Sequence, residues 1–140
     1  MNFSDDILQF IPQSHPFVMV DKLLYVDLES ATSNLTITNE NIFSEDGYFS
    51  EAGLLENIAQ TIAAANGYNE LQANKRMSGG YIAGVKNFEV FFLPKVNDII
   101  TTNTVITDKI FNMISIAAKV MCNNKLVAQC EMKIFSNTNE

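Results

Sequence analysis

Glu56 stands one turn inside a helix whose other residues are largely apolar, in the run Gly53-Leu54-Leu55-Glu56-Asn57-Ile58-Ala59-Gln60. A carboxylate in such a place is costly unless it is paired or used. It is the first candidate for acid–base work, because an apolar setting raises a carboxyl pKa towards usefulness. Asn41 lies fifteen residues upstream, in Asn41-Ile42-Phe43. An amide takes no proton at neutral pH, but it can hold a water or a carbonyl by hydrogen bonds. Tyr48, on the loop before the helix, and His15, the only histidine, could supply a second titrating group. Each has a plainer reading. Glu56 could be a structural carboxylate bonded to backbone or to Gln60 one turn on. Tyr48 could be a partly buried loop aromatic, and His15 a residue packed beside Pro16. One histidine and two cysteines are too few for a typical zinc site, and the chemistry considered requires no cofactor.

The elements that must position these groups are legible from spacing. Ser4 or Asp5 can cap a short helix over 4–11, stopped by Pro12. Phe17 to Val20 and Leu23 to Val26 read as one strand interrupted at Asp21-Lys22, and Ala31 to Thr38 alternates as a second. A turn-rich loop, Asn39 to Tyr48, follows and contains Asp46-Gly47. Ser50 can cap a helix from Glu51 to about Gly67, with a polar continuation towards Ala73. Leu54, Leu55, Ile58, Ala59, Ile62 and Ala63 give it a wide apolar face. Four more strands are expected over 81–92, 99–111, 113–121 and 126–135, with breaks at Pro94 to Asp98, Phe111-Asn112 and Asn123-Asn124. The tail, 136–140, is polar and expected to fray.

Two strands, one apolar helix and a run of strands make an α+β chain: about six antiparallel strands curved around one long helix. All 140 residues are expected to form one domain. Such a sheet has an exposed edge, and dimerisation would remove it. A net charge of −7 and a pI near 4.6 argue against nucleic acid or anionic membrane as partners. A phosphate-bearing carrier would need a local basic patch, for which Lys75-Arg76, Lys86 and Lys95 are candidates. No apolar run approaches the roughly 20 residues of a membrane span, and the acidic start lacks a signal peptide's basic and apolar regions. A cytoplasmic protein without membrane insertion is expected. With a two-residue turn at Asn123-Asn124, Cys122 would pair with Lys125 and Cys130 with Ala117, so no disulfide is expected.

Four stretches in this order resemble a known family, the hot-dog-fold 3-hydroxyacyl-acyl carrier protein dehydratases. Ile11-Pro12-Gln13-Ser14-His15-Pro16-Phe17-Val18-Met19-Val20-Asp21-Lys22 resembles its opening motif, L-P-H-R-Y-P-F-L-L-V-D-R. Leu54-Leu55-Glu56-Asn57-Ile58-Ala59-Gln60 resembles its helix motif, L-x-E-A-M-A-Q. Gly80 to Val85 is similar to the strand after the helix, and Pro94 to Asp98 to a loop ending in Gly-Asp. The resemblance implies the hot-dog fold and a homodimer, or an oligomer of dimers, with active sites at the dimer interface beside an acyl tunnel. It also implies an acyl thioester of acyl carrier protein or coenzyme A as the partner molecule. Phe17, Phe43, Gly53, Gln60 and Gly84 become candidates for binding the substrate.

The departure from the family is the catalytic histidine of its G-H-F-P-G loop. Gly47-Tyr48-Phe49-Ser50 echoes the motif but lies too close to Glu56; Asn41-Ile42-Phe43, where some aryl-polyene-type relatives carry His-Pro-Phe, is the better equivalent. Three functions stay open: a 3-hydroxyacyl thioester dehydratase with Glu56 as surviving acid or base, a hot-dog thioesterase using Asn41 and Glu56, and a non-catalytic acyl-binding subunit.

Overall fold

A computed structural model describes residues 6–75 and 80–136. Asp6 caps a 3₁₀ turn, Ile7–Gln9, by accepting the Leu8 N–H at 3.0 Å. The short helix expected from residue 4 is thus a single tight turn in the described residues; Ser4 and Asp5 lie outside them. The strands are β1 (Lys22–Val26), β2 (Ser30–Thr36), the tiny pair β3 (Ser44–Glu45) and β4 (Tyr48–Phe49), then β5 (Gly80–Val90), β6 (Ile99–Ile110), β7 (Met113–Cys122) and β8 (Lys125–Ser136). One helix, α1 (Glu51–Gln72), separates β4 from β5. Six strands form an antiparallel sheet in the order β1-β2-β6-β7-β8-β5, around which the expected α+β hot-dog architecture is built.

Turn chemistry sets the hairpins. Asn123 and Asn124 both take positive φ, 52° and 64°, as a tight two-residue turn between antiparallel strands requires. Cys122 and Lys125 pair across it as expected. A bulge between Val120 and Met121 then shifts the register by one, so Cys130 faces Ala118, not Ala117. Both cysteines are free and buried, and burial pushes the Cys130 thiol up to about 11. Four residues outside the described set, 137–140, belong to the expected frayed tail, whereas the backbone of Ser136 completes β8 against Gly80.

Two expectations need correction. Phe17 to Val20 is not a strand; it is an irregular segment lying on α1, and β1 begins only at Lys22. Nor does α1 stop near Gly67, which is buried within it. It runs to Gln72 and closes with Asn74 at φ 56°, the Asn74 N–H bonding Leu71 O and the Lys75 N–H bonding Glu70 O. A glycine costs only about 1 kcal/mol inside a helix, and Ala64 and Tyr68 on either side of it are buried in an apolar cluster.

The start of α1 is as expected: the Ser50 hydroxyl accepts the Gly53 N–H, and Glu51 sits in the first turn. Gly53 is required by packing, because a Cβ there would lie 2.6 Å from the Phe49 ring and 2.7 Å from Phe43 Cβ. Leu54, Ile58 and Ile62 face a core with Ile37, Ile100 and Val120. Phe10, Val18 and Val20 form a second cluster with Ala64 and Tyr68, the Phe10 and Tyr68 rings meeting edge to face at 5.6 Å. The helix packs chiefly on β1, β2 and β6. The inner face of β7, β8 and β5 is therefore only partly covered.

Gly53→Ala is expected to lower stability by about 1–3 kcal/mol, read from the urea midpoint; a loss below 0.5 kcal/mol would mean that the aromatic contacts yield freely. With burial holding both thiols protonated, neither Cys122 nor Cys130 should react with a thiol reagent at pH 8 until urea unfolds the chain.

Candidate active site

The polar side of α1 is buried against the sheet and the opening segment, and its Asn57, Gln60 and Thr61 side chains all have partners. Asn57, fully buried, donates through Nδ2 to Met19 O at 2.7 Å, and its Oδ1 accepts the Thr102 hydroxyl at 2.5 Å. The Thr61 hydroxyl donates to Asn57 O and shares a hydrogen bond of 2.7 Å with Ser33. Gln60, 1% exposed, receives the Met19 N–H at Oε1 (2.7 Å) and donates from Nε2 both to Phe17 O and to Glu56 Oε1, each at 2.9 Å.

Both N–H bonds of the Gln60 amide are thus used within the protein. Its place in the site is to hold the Glu56 carboxylate against the fixed backbone of Phe17 to Met19. Glu56, half-buried, also lines a cavity of about 760 Å³. Ala59, Ala63 and Asn66 continue its helix face along one wall, and Ile82, Ile114 and Ile134 form the facing wall on the sheet. Phe10, Pro12 and Gln13 line it from the opening segment, and Leu28 and Phe111 from the hairpin turns. Asp27, Glu29, Glu70 and Lys75 line it as well, so the cavity joins an apolar part to a charged one; a concave, partly apolar pocket with polar groups in it is the form small-molecule sites take.

Of the candidate residues, only Glu56 lines this cavity. Asn41 turns elsewhere: its Oδ1 accepts the Phe43 N–H at 2.8 Å, and Nδ2 points to Met19 Sδ at 3.4 Å. Phe43 packs on the core beside Gly53. Tyr48 is exposed on β4, its backbone bridged to Lys95. His15 is exposed, followed by a cis peptide to Pro16. The Phe17 ring is exposed while its carbonyl is held by Gln60. Gly84 lies next to a bulge on β5, with open space where a Cβ would stand. Of the expected basic patch, Lys75 borders the cavity, Lys86 and Lys95 do not, and Arg76 lies outside the described residues. Among the described residues, no cluster of histidine, cysteine and carboxylates could hold a metal ion, and no helix is long and apolar enough to cross a membrane.

Sequence reasoning missed two residues here. Asn57 replaces the alanine of the helix motif, among buried neighbours, and Gln13 the histidine of the opening motif, in an otherwise exposed stretch. A motif match draws attention to what agrees, and these two positions are departures.

The family profile of the ApeP-like proteins, described as ApeP dehydratase, matches residues 5–140. The chain belongs to the ApeP-like dehydratase family. No curated protein matches it by sequence. Among solved structures, a chain of the dehydratase heterocomplex ApeI:P from Xenorhabdus doucetiae superposes with TM-score 0.86 at 13% identity, over 95% of this chain and 91% of that one. The PaaI protein of the Escherichia coli phenylacetic acid degradation operon gives 0.65 at 12% identity, over 81% and 80%. A hypothetical thioesterase from Streptococcus pneumoniae TIGR4, solved with coenzyme A, gives 0.65 at 8%, over 82% and 84%. At these identities the ApeP-like chain shares a fold with them.

Replacing Gln60 by methionine should test the clamp. It strands the buried Met19 N–H and Phe17 carbonyl, so a loss of about 2–5 kcal/mol in chemical denaturation is expected. A loss under 1 kcal/mol would show that the segment is held elsewhere.

Proposed function

We propose that the chain binds an acyl thioester in the cavity beside α1 and dehydrates a 3-hydroxyacyl thioester carried on acyl carrier protein or coenzyme A. The observation that carries this reading is Glu56: a carboxylate held by Gln60 on the stretch of cavity wall formed by the small apolar residues of α1. Dehydration removes a proton from C2 and the hydroxyl from C3. As a carboxylate, Glu56 takes the C2 proton; passing it to the departing hydroxyl releases water, leaves the 2-enoyl thioester and regenerates the carboxylate. Gln60 fixes the oxygen that does not need to move.

The hydrolytic alternative needs Asn41 and Glu56 to act together on one thioester. Within one chain both polar ends of the Asn41 amide are engaged by Phe43 and Met19, which favours the dehydratase. A second copy, paired through the open edge of β5, would close the uncovered side of the cavity. Exposed Tyr81, Ile82 and Val85 on β5 support such a homodimer. The Xenorhabdus relative is described as a heterocomplex, so a chain that stays monomeric at micromolar concentration would point to a different hot-dog chain as its mate.

Offered 3-hydroxyacyl and saturated acyl thioesters, the wild type is expected to form enoyl product from the first and release no thiol from the second. Glu56→Gln should lower enoyl formation by roughly 10²- to 10⁴-fold with folding intact. Thiol release that depends on Glu56 would establish the thioesterase instead, and saturable binding without turnover a non-catalytic subunit.

A further inference from the structure

We propose that Gln13 binds the substrate in the same cavity, its side-chain amide accepting the hydrogen of the 3-hydroxyl; this rests on the reading of that cavity as the acyl site. Gln13 lines the cavity with Glu56, and its Oε1 is buried without a hydrogen-bond partner among the described residues. Buried polar atoms are almost always paired, so an orphan acceptor needs a reason. A methionine would fill the same space without stranding an acceptor, and that makes the amide unfavourable for the empty protein.

The backbone around it is fixed on both sides. Phe10 and Ile11 are buried in the second apolar cluster, and the Phe17 N–H closes a turn onto Ser14 O. Beyond the turn, Phe17 and Met19 are held by Gln60, the residue that also holds Glu56. Gln13 and the carboxylate therefore lie on segments joined through Gln60, and the broad terminal torsion of the Gln13 amide lets its buried Oε1 turn to meet a ligand. What an orphan acceptor lacks is a donor. At the reacting end of a 3-hydroxyacyl thioester the hydroxyl is the only one; the remaining donors lie in the pantetheine arm. Gln13 thereby distinguishes a hydroxyacyl from a saturated acyl group and sets the C3 oxygen near the proton it must receive.

The test is binding without turnover. In a Glu56→Gln protein, with and without Gln13→Met, dissociation constants are measured for a 3-hydroxyacyl pantetheine thioester and its 3-deoxy counterpart of equal length. With Gln13 present the hydroxy ligand should bind about five- to tenfold more tightly, the worth of one hydrogen bond. Gln13→Met should erase that preference, leave the 3-deoxy ligand within about twofold, and keep or raise the melting temperature. A preference that survives Gln13→Met overturns the assignment. So does an equal loss for both ligands, which would place Gln13 on the pantetheine arm, and so does the absence of any preference with Gln13 present. If neither ligand binds the Glu56→Gln protein at all, the acyl-site reading itself fails, and that outcome is separate from the others.

Discussion

The structure depends on one buried amide. Gln60 makes three hydrogen bonds, and each ties down something different: an N–H and a carbonyl of the opening segment, and the carboxylate of Glu56. An unpaired buried group costs on the order of 1–3 kcal/mol, while a satisfied network fixes one arrangement among many. Asn57 repeats the device one turn earlier, joining Met19 O to Thr102 on the sheet. Together they seat the helix, the segment that is not a strand, and β6 in a single register.

That seating decides where chemistry can occur. Because α1 sits chiefly over β1, β2 and β6, it covers β7 and β8 only in part and leaves much of β5 exposed. The result is the cavity, with Glu56 at one wall, and an edge strand whose aromatic and aliphatic side chains stand exposed. Binding an acyl chain beside an acid or base calls for such a cavity, and the exposed edge is where a second chain would cover it.

Much of the fold was legible because its signals are local. Strand spans followed alternation and β-branched composition, and asparagine or glycine marked the turns. What could not be read was set by tertiary contacts. Phe17 to Val20 has strand composition, yet its backbone groups bond to side chains of α1 instead of a neighbouring strand. Gly67 resembles a helix end, but burial beside Tyr68 carries the helix through it. The register of Cys130 turned on a bulge that no residue type announces. At the site, Glu56 was visible as a charge among apolar neighbours, whereas Gln13 shows its meaning only through an acceptor left without a donor. Asn41, conspicuous by its spacing, is turned towards Met19.

The central claim is that Gln60 acts on the reaction through Glu56 as well as on the fold. A double-mutant cycle on the turnover of a 3-hydroxyacyl thioester tests it most directly, with Gln60→Met, Glu56→Gln and the double variant compared at saturating substrate. If the carboxylate works only where the amide holds it, Gln60→Met slows the wild type by at least about tenfold but costs the Glu56→Gln protein almost nothing further. Two full and independent losses that multiply in the double variant would contradict the account.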